Sequence, residues 1–66
     1  MKLVVHLRNA RGAMNLTQAE LAERVGVSRK TINTIENAVF VPSTFLALKL
    51  ARALNKKVEQ LFELSP

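Results

Sequence analysis

The sequence has 66 residues, is 48% apolar, and carries ten Lys or Arg against five acids, a formal charge of +5. A chain this short supports one small domain with a thin stability margin. With no cysteine it has neither a disulfide staple nor a thiolate metal site, and its positive balance favours an anionic partner, nucleic acid first and an anionic membrane surface second.

No uninterrupted apolar run exceeds four residues, Phe45-Leu46-Ala47-Leu48 being one, whereas a bilayer-spanning helix needs about 20. The opening Met1-Lys2-Leu3-Val4-Val5 is too short for a signal peptide, and no small-residue cleavage site follows it. A cytoplasmic protein is expected.

In chain order, Met1 to Val5 is apolar and partly β-branched, which suits either a short strand or the first turn of helix 1. Leu7, Ala10 and Met14 then recur at i, i+3 and i+7, predicting a helix over roughly residues 6–14. Gly12 weakens it by about 1 kcal/mol relative to Ala, and Asn15 suits a left-handed cap at its end. Thr17-Gln18-Ala19-Glu20 is a capping box, with a hydroxyl at the N-cap and a carboxylate at N3. It starts a second helix over 18–25. Gly26 then ends that helix where positive φ is needed, Ser28 caps a third helix over 29–36, and residues 37–41 form a loop closed by Pro42. Ser43 caps a fourth helix over 44–54, which Asn55 ends. A short fifth helix fits 58–62, and Phe62-Glu63-Leu64 alternates in the manner of a strand. The expected apolar core set is Leu7, Ala10, Met14, Leu16, Leu21, Ala22, Val25, Val27, Ile32, Ile35, Val41, Leu48, Ala51, Leu54, Val58 and Leu61.

The segment 18–37 organises the rest. Ala22, four residues before Gly26, is small enough for two helices to cross closely, and Ile32, six residues after it, points back at the first of the pair. That offset pattern is a helix-turn-helix. Leu16-Thr17-Gln18, Glu20-Leu21-Ala22, Gly26-Val27-Ser28, Thr31-Ile32, Ile35-Glu36-Asn37, Pro42-Ser43 and Leu50-Ala51 stand in the order and spacing of the Cro and phage-repressor type, or XRE family, which the chain resembles from about Leu7 to Phe62. The resemblance implies an all-α, five-helix, lambda-repressor-like DNA-binding domain spanning 1–66. It also admits a two-stranded sheet between the termini, because some very short members pair their ends. At one place the chain departs from the family. Gly followed by Lys or Arg usually comes after the Glu-Asn pair, whereas here Ala38-Val39-Phe40 follows. A left-handed turn at Ala38 would cost energy, and Phe40 is expected to pack inside rather than insert against a partner.

Ile32 and Ile35 face inward on the third helix, so Arg29, Lys30, Asn33 and Thr34 share the opposite face. All four donate hydrogen bonds and none is acidic, which suits entry into the major groove. By resemblance Arg29, Lys30 and Thr34 hold the base-reading positions, with Asn33 second. Gln18 and the free amides at its helix start suit a phosphate, as do the hydroxyls of Ser28 and Thr31, and Asn37 matches the family's second phosphate clamp. The resemblance also makes Arg11 and Glu36 a structural ion pair. His6, the only histidine, lacks a nucleophile or metal co-ligands, so no catalytic role, metal, cofactor or small-molecule ligand is expected. The fourth helix is more apolar than one buried face needs. The family dimerises through its C-terminal helices, so residues 44–64, with Leu46, Leu50, Phe62 and Leu64, are the expected homodimer interface. The sequence thus points to a homodimeric, sequence-specific transcriptional regulator that binds a palindromic operator in double-stranded DNA and represses by promoter occlusion. The alternative is a protein-interaction module, an antitoxin or adaptor, on the same fold.

Overall fold

The computed structural model describes residues 1–66. It contains β1 (Lys2–Val5), α1 (Leu7–Ala13), α2 (Gln18–Val25), α3 (Arg29–Glu36), α4 (Thr44–Leu54), α5 (Val58–Leu61) and β2 (Phe62–Ser65). The starts follow from short-range chemistry. Thr17 Oγ1 accepts from the Glu20 amide at 3.0 Å, and Glu20 Oε1 accepts from the Thr17 amide at 2.8 Å. Ser28 Oγ accepts from the Thr31 amide at 3.2 Å and Ser43 Oγ from the Leu46 amide at 3.1 Å. Each satisfies a donor that the helix itself leaves free.

The ends of α1 to α4 share one device. Asn15, Gly26, Ala38 and Asn55 all have positive φ, between 54° and 76°. In each case the following amide reaches back five residues: Leu16 to Arg11 O, Val27 to Ala22 O, Val39 to Thr34 O and Lys56 to Ala51 O, at 2.9 to 3.2 Å. This is the Schellman ending, which turns the chain sharply while capping the last carbonyls. Three of the four positions hold the residues that tolerate it. Ala38 does not, yet it adopts φ +58°.

The termini form an antiparallel pair, with Lys2 opposite Ser65, Leu3 opposite Leu64, Val4 opposite Glu63 and Val5 opposite Phe62. Lys2 to Val5 is therefore strand rather than a turn of α1. The His6 amide extends the ladder to Leu61 O at 2.8 Å. Two strands alone are marginal in water, but Val5 and Phe62 pack against the core and anchor them.

Leu7, Leu16, Leu21, Ala22, Val25, Ile32, Ile35, Leu50, Ala51, Leu54 and Leu61 form that core. Burying each large aliphatic side chain contributes about 1.5–3 kcal/mol. On α4 the inward stripe is Ala47, Leu50, Ala51 and Leu54, at i, i+3, i+4 and i+7. This corrects two expectations. Leu50 is 0% exposed and belongs to the core, not to a dimer interface; Leu48, expected inside, is 55% exposed. The reason is rotation. Leu48 follows Ala47 by about 100° around the helix and so leaves the inward stripe. Met14 and Val41 are also exposed rather than core, and Phe40 is 46% exposed rather than packed inside. The amides of Val39 and Phe40 both bond Thr34 O, at 2.9 and 3.2 Å. The loop is thereby folded back on the end of α3, with its side chains left outside.

Candidate nucleic-acid interface

The Schellman turn at Gly26 sends the chain from α2 into α3 with only Gly26, Val27 and Ser28 between the two helices. Ile32 and Ile35 are buried, which fixes the rotation of α3 about its axis. Arg29 and Lys30, in its first turn, are consequently exposed, and Asn33 and Thr34 lie half-buried on the same side. The Thr34 hydroxyl donates to Thr31 O at 2.9 Å, and the hydroxyls of Ser28 and Thr31 bond each other at 3.0 Å.

Beneath this face lies a polar network centred on Glu36, whose side chain is 0% exposed. Arg11 grips it with two bonds, Nε to Oε2 at 2.6 Å and Nη2 to Oε1 at 3.2 Å, and a third, from Nη1 to Leu16 O at 2.9 Å, orients the guanidinium. Gln18 Nε2 donates to Glu36 Oε1 at 2.9 Å and to Asn33 Oδ1 at 3.3 Å, while Gln18 Oε1 accepts from Arg29 Nη1 at 3.1 Å. Asn37 Nδ2 also donates to Asn33 Oδ1, at 3.2 Å. A single chain of bonds thus ties the start of α2 to both ends of α3, and no buried side-chain nitrogen or oxygen lacks a partner. Half-satisfied networks of this kind are costly, whereas complete ones hold their members rigid.

Burial alone would push the Glu36 carboxyl up. Hydrogen bonds from Arg11, Gln18 and Arg8, with the charge of Arg11, outweigh it and hold the group below the usual carboxylate range. The same bonds with Glu36 raise the Arg11 guanidinium against the opposing effect of burial. Glu20 is lowered chiefly by the amide of Thr17, which it caps.

Of the residues singled out in the sequence, the structure brings Gln18, Arg29, Asn33, Glu36, Asn37 and Arg11 into one network, and sets Lys30, Thr31, Thr34 and Ser28 along the adjoining flank. Leu46 and Phe62 are half-buried against the core, and Leu64 is exposed. Arg8 was not singled out. Its Nη2 donates to Asn37 Oδ1 at 3.2 Å and its Nε lies 3.4 Å from Glu36 Oε1. Its spacing of i, i+3 from Arg11 on α1 is the signal that places it on the same side.

A helix-turn-helix family model matches residues 7–61. The chain belongs to the helix-turn-helix family. Within it, the chain is a DNA-binding transcriptional regulator of the XRE and phage-repressor type, a group of regulators rather than enzymes. It is similar to an uncharacterized HTH-type transcriptional regulator of Methanothermobacter thermautotrophicus, 48% identical over 57 residues, covering 85% of this chain and 83% of the relative. Among solved structures it is similar to the phage P22 c2 repressor in complex with a synthetic operator, with a TM-score of 0.78 and 30% identity over 80% of both chains. It is also similar to the restriction-modification controller protein C.AhdI of Aeromonas hydrophila, with a TM-score of 0.79 and 36% identity over 85% of both chains. These likenesses bear out the lambda-repressor-like helical fold, with the short sheet added at the termini. No helix is long and apolar enough to cross a membrane.

Proposed function

We propose that this chain binds a palindromic operator in double-stranded DNA as a homodimer in the cytoplasm, and represses transcription by excluding polymerase from an overlapping promoter. The observation that carries the reading is the outward, acid-free face of α3, where Arg29 and Lys30 are exposed in the first turn and the one carboxylate of the helix is sealed beneath it. A helix of this width enters the major groove. Arg29 suits a bidentate contact with guanine O6 and N7, worth about 1–3 kcal/mol of discrimination, and Lys30, Asn33 and Thr34 extend the reading surface. Gln18, Ser28, Thr31 and Asn37 take phosphates on either side, which positions the helix without reading sequence. The P22 c2 repressor, solved on operator DNA, supports this arrangement.

Dimerisation is supported by the apolar surface of the C-terminal half. Phe45, Leu48 and Leu64 are exposed, and a shallow groove of about 430 Å³ lies between α4, α5 and β1, lined by Leu3, Ala47, Leu48, Val58 and Phe62 among others. In this interface Leu46, Phe62 and Leu64 stand with Leu48, and Leu50 takes no part. Two copies related by a two-fold axis read half-sites about 34 Å apart.

In vitro selection followed by footprinting tests the proposal. An inverted repeat should be recovered. Arg29→Ala should relax preference at one base position in each half-site, whereas Gln18→Ala should weaken all sequences about equally. Recovery of no common motif, or the same loss on every sequence from both variants, refutes sequence-specific reading and favours the adaptor role. Sedimentation at micromolar concentration tests the dimer, and a wild-type chain that stays monomeric on and off DNA rejects it.

A further inference from the structure

Two arginines one helical turn apart on α1 face a single carboxylate. Arg11 holds both oxygens of Glu36 and is only 16% exposed, whereas Arg8 approaches one oxygen at 3.4 Å and is 60% exposed. One guanidinium suffices to neutralise Glu36, so two cations against one anion leave a net positive charge, and it resides on the exposed partner. Arg8 Nη2 is also tied to Asn37 Oδ1 at 3.2 Å. That contact carries the charge from α1 to the C-terminal end of α3.

This end of α3 needs such a charge if DNA lies across it. Helix C-termini carry partial negative charge, Glu36 sits there, and between Lys30 and Lys49 the sequence has no cation of its own. Left to its own residues, the far end of α3 would repel a DNA backbone. We propose that Arg8 is a phosphate-binding residue supplied by α1: with the Asn37 amide it takes one phosphodiester of the duplex beside the end of α3, while Arg11 keeps Glu36 neutralised below. The inference rests on the DNA-binding reading above and adds to it a contact from outside the helix-turn-helix.

The test is a salt series. Binding is measured by fluorescence anisotropy for a duplex of about 30 base pairs recovered by selection with the wild-type chain, and for a scrambled duplex of equal length. Each phosphate contact adds about 0.9 to the slope of log K against log salt. Arg8→Gln is therefore expected to lower that slope by about 0.9 per bound subunit and to weaken both duplexes by the same factor, about eightfold per subunit at 0.1 M salt. Its melting temperature should move little, since Arg11 still holds Glu36, and Arg8→Lys should restore most of the slope. If wild-type chain binds both duplexes with the expected salt dependence while Arg8→Gln keeps the full slope, Arg8 is a structural residue only and the inference is overturned. If the wild-type chain shows no salt-dependent binding at all, the DNA-binding reading itself fails, and this inference with it.

Discussion

Replacing Ala38 by glycine should stabilise this protein. Ala38 lies at φ +58° in the Schellman turn that ends α3, and its side chain is exposed, so removing the methyl takes nothing from the core. The turn is held by the amides of Ala38 on Ile35 O at 3.0 Å and of Val39 on Thr34 O at 2.9 Å, and both bonds survive the change. A residue with a Cβ in the left-handed region bears about 1–2 kcal/mol of steric cost. Against this, glycine adds about 0.4–1 kcal/mol of freedom to the unfolded chain. The balance is a gain of about 0.5–1 kcal/mol, or a rise in Tm of roughly 2–8 °C for a domain of this size. Urea denaturation with unchanged m-value, paired with calorimetry, measures it. Ala38→Val should move the other way, because a β-branched residue is less tolerated at positive φ. A lower midpoint for the glycine variant, or no difference between glycine and valine, would refute the left-handed turn and the origin assigned to its strain.

Gly12 lies in α1 with open space around the position a Cβ would take; Gly12→Ala should therefore raise stability by up to about 1 kcal/mol in the same denaturation assay. The Glu36 carboxyl is held below its ordinary value, so its contribution is present above that value and is lost as pH falls through it and below. Tm should decline from pH 5 to pH 3, and Glu36→Gln should be less stable at pH 7 with a flatter acid limb; a limb as steep as that of the wild type would show that other groups dominate. Part of the slope should remain, because Glu20 is lowered in the same direction by its cap. On α4, Leu50→Ala should cost about 2–5 kcal/mol through the cavity it leaves, whereas Leu48→Ala should leave monomer stability nearly unchanged and shift the sedimentation equilibrium towards monomer.

How much of this was legible in the sequence depended on how far apart the interacting residues lie. Thr17, Ser28 and Ser43 act on amides three residues away, so the starts of α2, α3 and α4 can be read from adjacent letters. The sheet can be read only in part: Phe62-Glu63-Leu64 alternates as a strand does, but Met1 to Val5 suits strand or helix alike, and the pair Leu3 and Leu64 spans almost the whole chain. The exchange of Leu48 for Leu50 has a different cause. Phe45, Leu46, Ala47, Leu48, Leu50 and Ala51 put apolar side chains on every side of α4, so more than one stripe fits the pattern. Only the packing of Ala47, Leu50, Ala51 and Leu54 on the core chooses between them. In the candidate interface, the donors on α3 were evident from the rotation that Ile32 and Ile35 impose. Tethering of Arg29 to Gln18 and of Arg8 to Asn37 joins different helices, and emerges only when the helices are docked.

The pairing of Lys2 with Ser65 also sets a timetable for the nascent chain. Helices α2 to α4 are capped by neighbours in sequence and can begin to form as they leave the ribosome, but β1, made before all of them, has no partner until β2 emerges. Contacts of such long separation form late and slowly. During synthesis the apolar side chains of Leu3, Val4 and Val5 therefore wait through all five helices for their cover, which leaves β1 open to chaperones longer than any other element of this fold.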